Sequence, residues 1–89
     1  MSRKLTINQT YYVNGLDVEC QLDPNGSPAR LTLWVQAGPN ALGFHRLEAV
    51  KCKVHGFERF VLEKGKHPNA QDIQSWLRQV GNTVCNGTY

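Results

Sequence analysis

Apolar and polar residues alternate along much of the chain, most clearly in the segment 31–37. Its odd-numbered positions hold Leu, Leu, Val and Ala, whereas its even-numbered positions hold Thr, Trp and Gln. A period of two with β-branched and aromatic residues is typical of a strand that buries one face. We therefore predict a central strand over residues 30–37, with Trp34 on the face opposite Leu33.

Two further strands are predicted before this one. Residues 5–13 place four apolar side chains on one face, and residues 16–22 alternate strictly between apolar and polar side chains. Asn14-Gly15 separates the two segments and favours a type I′ turn, in which both residues need positive φ. Residues 23–26, Asp-Pro-Asn-Gly, have the chemistry of a type I turn. These local turns predict an antiparallel meander.

Residues 44–55 fit two interpretations. As a strand, one face carries Arg46, Glu48, Val50, Cys52 and Val54, and the other carries His45, Leu47, Ala49, Lys51, Lys53 and His55. As a helix, Phe44, Leu47, Val50 and Val54 form an apolar stripe, although Lys51 interrupts it. The run 50–54, Val-Lys-Cys-Lys-Val, favours the strand. After Gly56, residues 57–64 predict another strand, with Phe60 and Leu62 pointing inward.

The last predicted element is an amphipathic helix. Ile73, Trp76, Leu77 and Val80 recur at helical spacing. Asn69 is the expected N-cap, with Asp72 completing a variant capping box, and Gly81 stands at the position that favours a positive φ after the last turn. We predict an α+β fold with an antiparallel meander of four to five strands and this C-terminal helix packed on one face. Residues 1–81 would form one domain and residues 82–89 a polar tail.

Composition agrees with a small globular domain. The chain has 89 residues, of which 40% are hydrophobic. Its three cysteines (Cys20, Cys52 and Cys85) are odd in number and widely spaced, and no apolar segment follows Met1-Ser-Arg-Lys. These features favour free thiols in a reducing compartment, so we expect a cytoplasmic protein with no membrane segment.

The formal net charge of +3 is concentrated in residues 46–66, which hold six basic and three acidic side chains. This basic segment and the nearby aromatic residues permit nucleic-acid binding. Against it, Asp17, Glu19 and Asp23 are expected on the same face as Trp34, where they would repel phosphate groups.

Catalytic and metal chemistry find little support. His45, Glu48, Cys52 and His55 would share a face only if residues 44–55 were helical, and the paired, closely spaced ligands of structural zinc sites are absent from the sequence. Cys20 and Cys52 alternate with apolar residues, as small buried cysteines do. We expect no catalytic residues, no metal and no cofactor.

The remaining function class is binding, with Trp34 as the central residue. An indole on the solvent-facing side of a sheet, beside charged neighbours, is typical of a binding hot spot. The alternative is that Trp34 packs under Tyr12 or a loop.

We predict a small non-enzymatic accessory or inhibitory factor, of bacterial or viral origin by analogy of size, that docks on a larger protein or nucleoprotein. A nucleic-acid-binding domain is the second hypothesis and a metal- or thiol-dependent enzyme the third, and homo-oligomerisation is left open. The expected contact residues are Thr32, Trp34, Gln36, Lys51, Lys53, Arg59, Lys64 and Lys66.

Overall fold

The computed structural model describes residues 7–23, 25–81 and 84, and these form a five-stranded antiparallel sheet with one helix. The elements are β1 (Ile7–Val13), β2 (Leu16–Asp23), β3 (Arg30–Gln36), β4 (Phe44–Val54), β5 (Phe57–Lys64) and α1 (Ala70–Val80). The strand order in the sheet is β1-β2-β3-β4-β5, so every strand pairs with its neighbour in sequence. The predicted α+β meander with a C-terminal helix is confirmed. Leu5, Pro24, Cys85 and most of the predicted tail lie outside the described residues.

Two-residue turns close two of the hairpins. Asn14 and Gly15 have φ values of 51° and 82°, which confirms the type I′ turn between β1 and β2. His55 and Gly56 have nearly the same values, 53° and 84°, between β4 and β5. Residues 44–54 are therefore one arm of a hairpin, and the helical alternative for this segment is wrong.

The core lies between one face of the sheet and the helix. Alternating residues of β2, β3 and β4 are buried on this side: Leu16, Val18, Cys20, Leu22, Leu31, Leu33, Val35, Leu47 and Ala49. Val13 from β1, Phe60 from β5 and Ile73 and Leu77 from α1 also belong to this cluster, and Val84 packs in it. The helix therefore covers the face that carries Val18, Leu33 and Val35, and the predicted packing of the helix on one face of the sheet is confirmed.

The helix also closes one edge of the sheet. The Gln74 side-chain amide accepts a hydrogen bond from the Leu62 N–H at 2.8 Å and donates one to the Phe60 carbonyl at 3.2 Å. An edge strand presents backbone groups that otherwise attract another chain. Gln74 satisfies two of these groups on β5 and fixes the helix against that strand.

The start of α1 differs from the sequence prediction. Asn69 is the N-cap, but its side chain makes no capping hydrogen bond, so the predicted capping box is wrong. Instead, the Asn69 N–H donates to His67 Nδ1 at 2.9 Å, while the other ring nitrogen of His67 lies 2.8 Å from the Gln36 carbonyl oxygen. Because an N–H can only donate, Nδ1 is the acceptor and Nε2 carries the proton given to Gln36. The buried His67 ring thus ties the helix start to the end of β3. At the other end, Gly81 has a positive φ of 54° and its N–H bonds the Leu77 carbonyl, as predicted.

Candidate functional site

The face of the sheet opposite the helix, here called the open face, carries Trp34. Residues paired across antiparallel strands point to the same side of a sheet. The register pairs Thr10 with Glu19, Glu19 with Trp34, and Trp34 with Arg46. These four side chains therefore form one row across the open face, with Glu19 and Arg46 one strand to either side of Trp34.

Further aromatic side chains lie in the neighbouring row. Tyr12 is paired with Asp17 on β2, and Gln36 on β3 is paired with Phe44. Tyr12 is 75% exposed and Phe44 is 45% exposed, although large aromatic side chains gain most from burial. We call the set Tyr12, Glu19, Trp34, Phe44 and Arg46 the Trp34 surface.

Trp34 itself is partly buried, and Glu19, Trp34 and Phe44 line a shallow depression of about 210 Å³. The indole is neither sealed in the core nor fully exposed. The two alternatives of the sequence analysis are thus combined: Trp34 lies on the open face, and its neighbours cover part of the ring.

The charges on the open face differ from strand to strand. Asp17 and Glu19 on β2 are exposed and form no ion pair within the part of the chain that the structure describes. On the other side of β3, Glu48 forms ion pairs with Arg30 at 3.6 Å and with Arg46 at 3.3 Å. Arg30 also contacts Glu63 at 3.3 Å. The β2 side of Trp34 therefore carries negative charge without a cationic partner among the described residues. On the β4 side, Arg46 and Arg30 both contact the carboxylate of Glu48.

Thr32 and Gln36 lie on the open face beside Trp34, as predicted. Thr32 is partly buried between Gln21 and Glu48. The Gln36 amide is already hydrogen-bonded, because it accepts from the Asp17 N–H at 3.1 Å and donates to the Ala41 carbonyl at 2.9 Å. The structure therefore gives Gln36 a positioning role: it holds the loop after β3 close to β2.

The predicted basic contact residues are not gathered around Trp34. Lys51 pairs with the buried Phe60, and its Nζ atom lies 5.5 Å from the centre of that ring. Lys51, and Lys53 two residues further on, thus belong to the helix-bearing side of the sheet and not to the face that carries Trp34. Lys64 pairs with Glu48 at the bulge in β4–β5, and Lys66 is exposed in the loop that follows.

Arg59 binds the C-terminal end of the helix. Its Nη1 donates to the carbonyl of Arg78 at 3.0 Å, and its guanidinium lies 5.7 Å from the ring centre of Phe57. A cation is favourable at the C-terminal end of a helix, where carbonyl groups lack partners. Val54, His55, Arg59 and Arg78 line a separate depression of about 300 Å³ there. Arg59 was predicted as a contact residue, but no local pattern in the sequence indicates that it binds a helix carbonyl.

The described residues offer no cluster of three or more His, Cys, Asp or Glu side chains that could hold a metal ion. In the observed strand, Cys52 points to the opposite side from His45, because alternate residues of a strand point to opposite faces, and His55 lies beyond the strand in the turn. Cys20 is buried in the core as expected, whereas Cys52 is exposed, so the expectation of a small buried cysteine is wrong for Cys52. In the described part of the chain, no helix is long and apolar enough to cross a membrane.

Gln74 and His67 are the positioning residues that sequence reasoning missed. Each contacts backbone atoms far away in the chain, on β5 and β3 respectively. A hydrogen bond to a distant backbone group leaves no local pattern in the sequence.

Comparisons with known proteins add no identity: no protein-family model, curated protein or solved structure matches this chain.

Proposed function

We propose that this protein is a small non-enzymatic binding protein of the cytoplasm, an accessory or inhibitory factor that docks on a larger protein through the Trp34 surface. The observation that carries the proposal is the group of aromatic side chains that the described part of the chain leaves uncovered on the open face, with Tyr12 75% and Phe44 45% exposed. Tryptophan, tyrosine and arginine are the residues most enriched in binding hot spots.

The charges around Trp34 suggest the chemistry of the partner. Asp17 and Glu19 have no cationic partner among the described residues, and Glu19 lines the shallow depression beside the indole. A partner that inserts an apolar side chain there and places Lys or Arg over β2 would neutralise them. The partner in this proposal is therefore a protein surface with a basic residue next to an apolar one.

The same arrangement disfavours the nucleic-acid hypothesis. Phosphate groups above Trp34 would meet Asp17 and Glu19, and Lys51 and Lys53 belong to the other side of the sheet. Nucleic-acid binding gains most of its affinity from phosphate contacts made by a continuous basic surface. Within the described ranges 7–23 and 25–81, no such surface coincides with the exposed aromatic residues.

The test is a matched pair of alanine substitutions. A partner is first captured from cell extract on the immobilised protein, identified by mass spectrometry and purified. Its affinity is then measured by isothermal titration calorimetry for the unmodified protein, Trp34→Ala and Phe57→Ala. Phe57 is the control because it is 64% exposed but lies at the β4–β5 turn, away from the Trp34 surface.

We expect Trp34→Ala to weaken binding at least about 30-fold, or about 2 kcal/mol, and Phe57→Ala to change it less than about 3-fold. Circular dichroism should show both variants folded. The proposal is wrong if Trp34→Ala binds as tightly as the unmodified protein while Lys51→Ala/Lys53→Ala abolishes binding. A steep loss of affinity with added salt would likewise identify a phosphate-driven interaction instead.

A further inference from the structure

The Trp34 surface has a symmetry in its charges. Glu19 and Arg46 occupy the same row as Trp34, on the neighbouring strands to either side. Adjacent strands lie about 4.8 Å apart, so the carboxylate-bearing and guanidinium-bearing positions are about equally distant from β3. Arg46 contacts Glu48 at 3.3 Å but keeps 61% of its side chain exposed, and Glu19 is exposed.

A two-fold rotation about an axis parallel to β3 makes this row complementary to itself. When two open faces are stacked by that rotation, β2 of one copy lies over β4 of the other, and Trp34 lies over Trp34. Glu19 of each copy then faces Arg46 of the second copy. A two-fold axis perpendicular to the strands, along the row of Trp34, would instead put β2 over β2, so that Glu19 met its own copy and the two carboxylates repelled each other.

We propose that a second copy of this chain occupies the Trp34 surface when the protein partner is absent, forming a face-to-face dimer with a two-fold axis along β3. This inference deepens the proposed function, since the dimer would cover the surface on which the partner docks. The dimer is a sandwich of two sheets, an arrangement in which strands of the two layers run within about 30° of each other. Its contact surface is isologous: each copy supplies the same acidic and basic positions to the other.

The neighbouring row brings no like charges together in this arrangement. The same rotation places Gln36 over Gln36 and Asp17 over Phe44, so no like charges meet there. Arg30 is brought towards its own copy, but its guanidinium already contacts Glu48 and Glu63 in its own chain. The aromatic side chains of both copies lose exposed area, which supplies the apolar part of the contact.

Charge reversal tests the geometry of the dimer. Sedimentation velocity and native mass spectrometry are performed on the full chain from about 1 µM to about 1 mM. The unmodified protein is expected to shift from monomer to dimer with increasing concentration. Glu19→Lys and Arg46→Glu, each alone, place like charges across both symmetry-related contacts and should weaken dimerisation at least about 10-fold. Glu58→Lys reverses a charge next to the β4–β5 turn, outside the Trp34 surface, and should leave dimerisation unchanged.

Mixing the two single variants is the decisive measurement. In a dimer of one Glu19→Lys chain and one Arg46→Glu chain, the first contact joins Lys to Glu and the second joins Arg46 to Glu19. The equimolar mixture should therefore form a heterodimer at lower concentration than either variant forms its own homodimer. Misfolding of a variant cannot produce this recovery.

The inference is overturned if the unmodified protein stays monomeric over the whole range, or if the mixture stays monomeric. It is also overturned if Glu58→Lys weakens the dimer as much as Glu19→Lys does. A monomeric protein whose partner binding still depends on Trp34 would remove the dimer and keep the proposed function. A dimer that obeys the charge rules, combined with partner binding unaffected by Trp34→Ala, would remove the proposed function and keep the dimer.

Discussion

The two faces of the sheet are built from the same alternating strands, yet they serve different ends. On the helix-bearing face, Val18, Leu31, Leu33 and Val35 are completely buried. On the open face, the residues between them are partly or fully exposed, and they include Trp34, Glu19 and Thr32. Because burial of apolar side chains is the main source of stability, we expect most of it to come from the helix-bearing face and most exposed side chains of the open face to tolerate substitution.

The largest expected effect is on the helix-bearing face. Leu33→Ala removes a buried side chain from the centre of the core, and large-to-small substitutions at such sites leave a cavity. We expect the free energy of unfolding to fall by about 3–4 kcal/mol, measured by urea denaturation.

Thr32→Ala, one position away on the open face, is the matched control. It should change the free energy of unfolding by less than about 0.5 kcal/mol. Equal losses for Thr32→Ala and Leu33→Ala would show that the two faces are buried to the same extent in solution, and would contradict the comparison.

A smaller effect is expected where the chain leaves the sheet towards the helix. Gly65 has a φ of 99°, and a Cβ atom added there would lie 2.5 Å from the Arg46 carbonyl oxygen and 2.9 Å from the Leu47 Cα. Because backbone atoms cannot move aside cheaply, Gly65→Ala should lower the free energy of unfolding by about 2–3 kcal/mol.

Gly56→Ala separates the two causes of that loss. Gly56 has a similar φ of 84°, but a Cβ atom would meet nothing within 4 Å. The expected cost is about 1 kcal/mol, from backbone strain alone. If thermal unfolding showed the same loss for both variants, the close contact of Gly65 with the β4 backbone would not contribute to the loss.

The smallest of the three effects is expected at the β5 edge of the sheet. Gln74→Ala removes both side-chain hydrogen bonds to the β5 backbone and should cost about 1–2 kcal/mol. Gln71→Ala, at an exposed position of the same helix, should be neutral within about 0.5 kcal/mol. Hydrogen exchange should also show faster exchange of the Leu62 amide in Gln74→Ala, and unchanged exchange there would contradict the role assigned to Gln74.

Most of the fold can be predicted from the sequence because the patterns that specify its strands, turns and helix are local. The Asn14-Gly15 turn, the alternation in β2 and β3, and the stripe of α1 each depend on residues near one another in the chain. β5 was also predicted with its observed bounds, and Phe60 is buried as expected.

The features that the sequence did not reveal depend on distant pairing. In β4, both alternating sets mix apolar with charged residues, so only the pairing of Leu33 with Leu47 decides which set faces the helix. That pairing carries Lys51 to the helix-bearing side and leaves Arg46 beside Trp34. The capping box was wrong for a similar reason, because a ring anchored on β3, that of His67, receives the Asn69 N–H.

The amide of Gln74 has a consequence for the solubility of the protein. Fibrils grow when strands add one after another to an unprotected sheet border, each addition creating the template for the next. A chain approaching β5 would first have to displace this amide and lose both of its hydrogen bonds. Open-ended growth is thereby opposed at that border by a single side chain, and the protein can leave aromatic residues uncovered elsewhere without polymerising through β5.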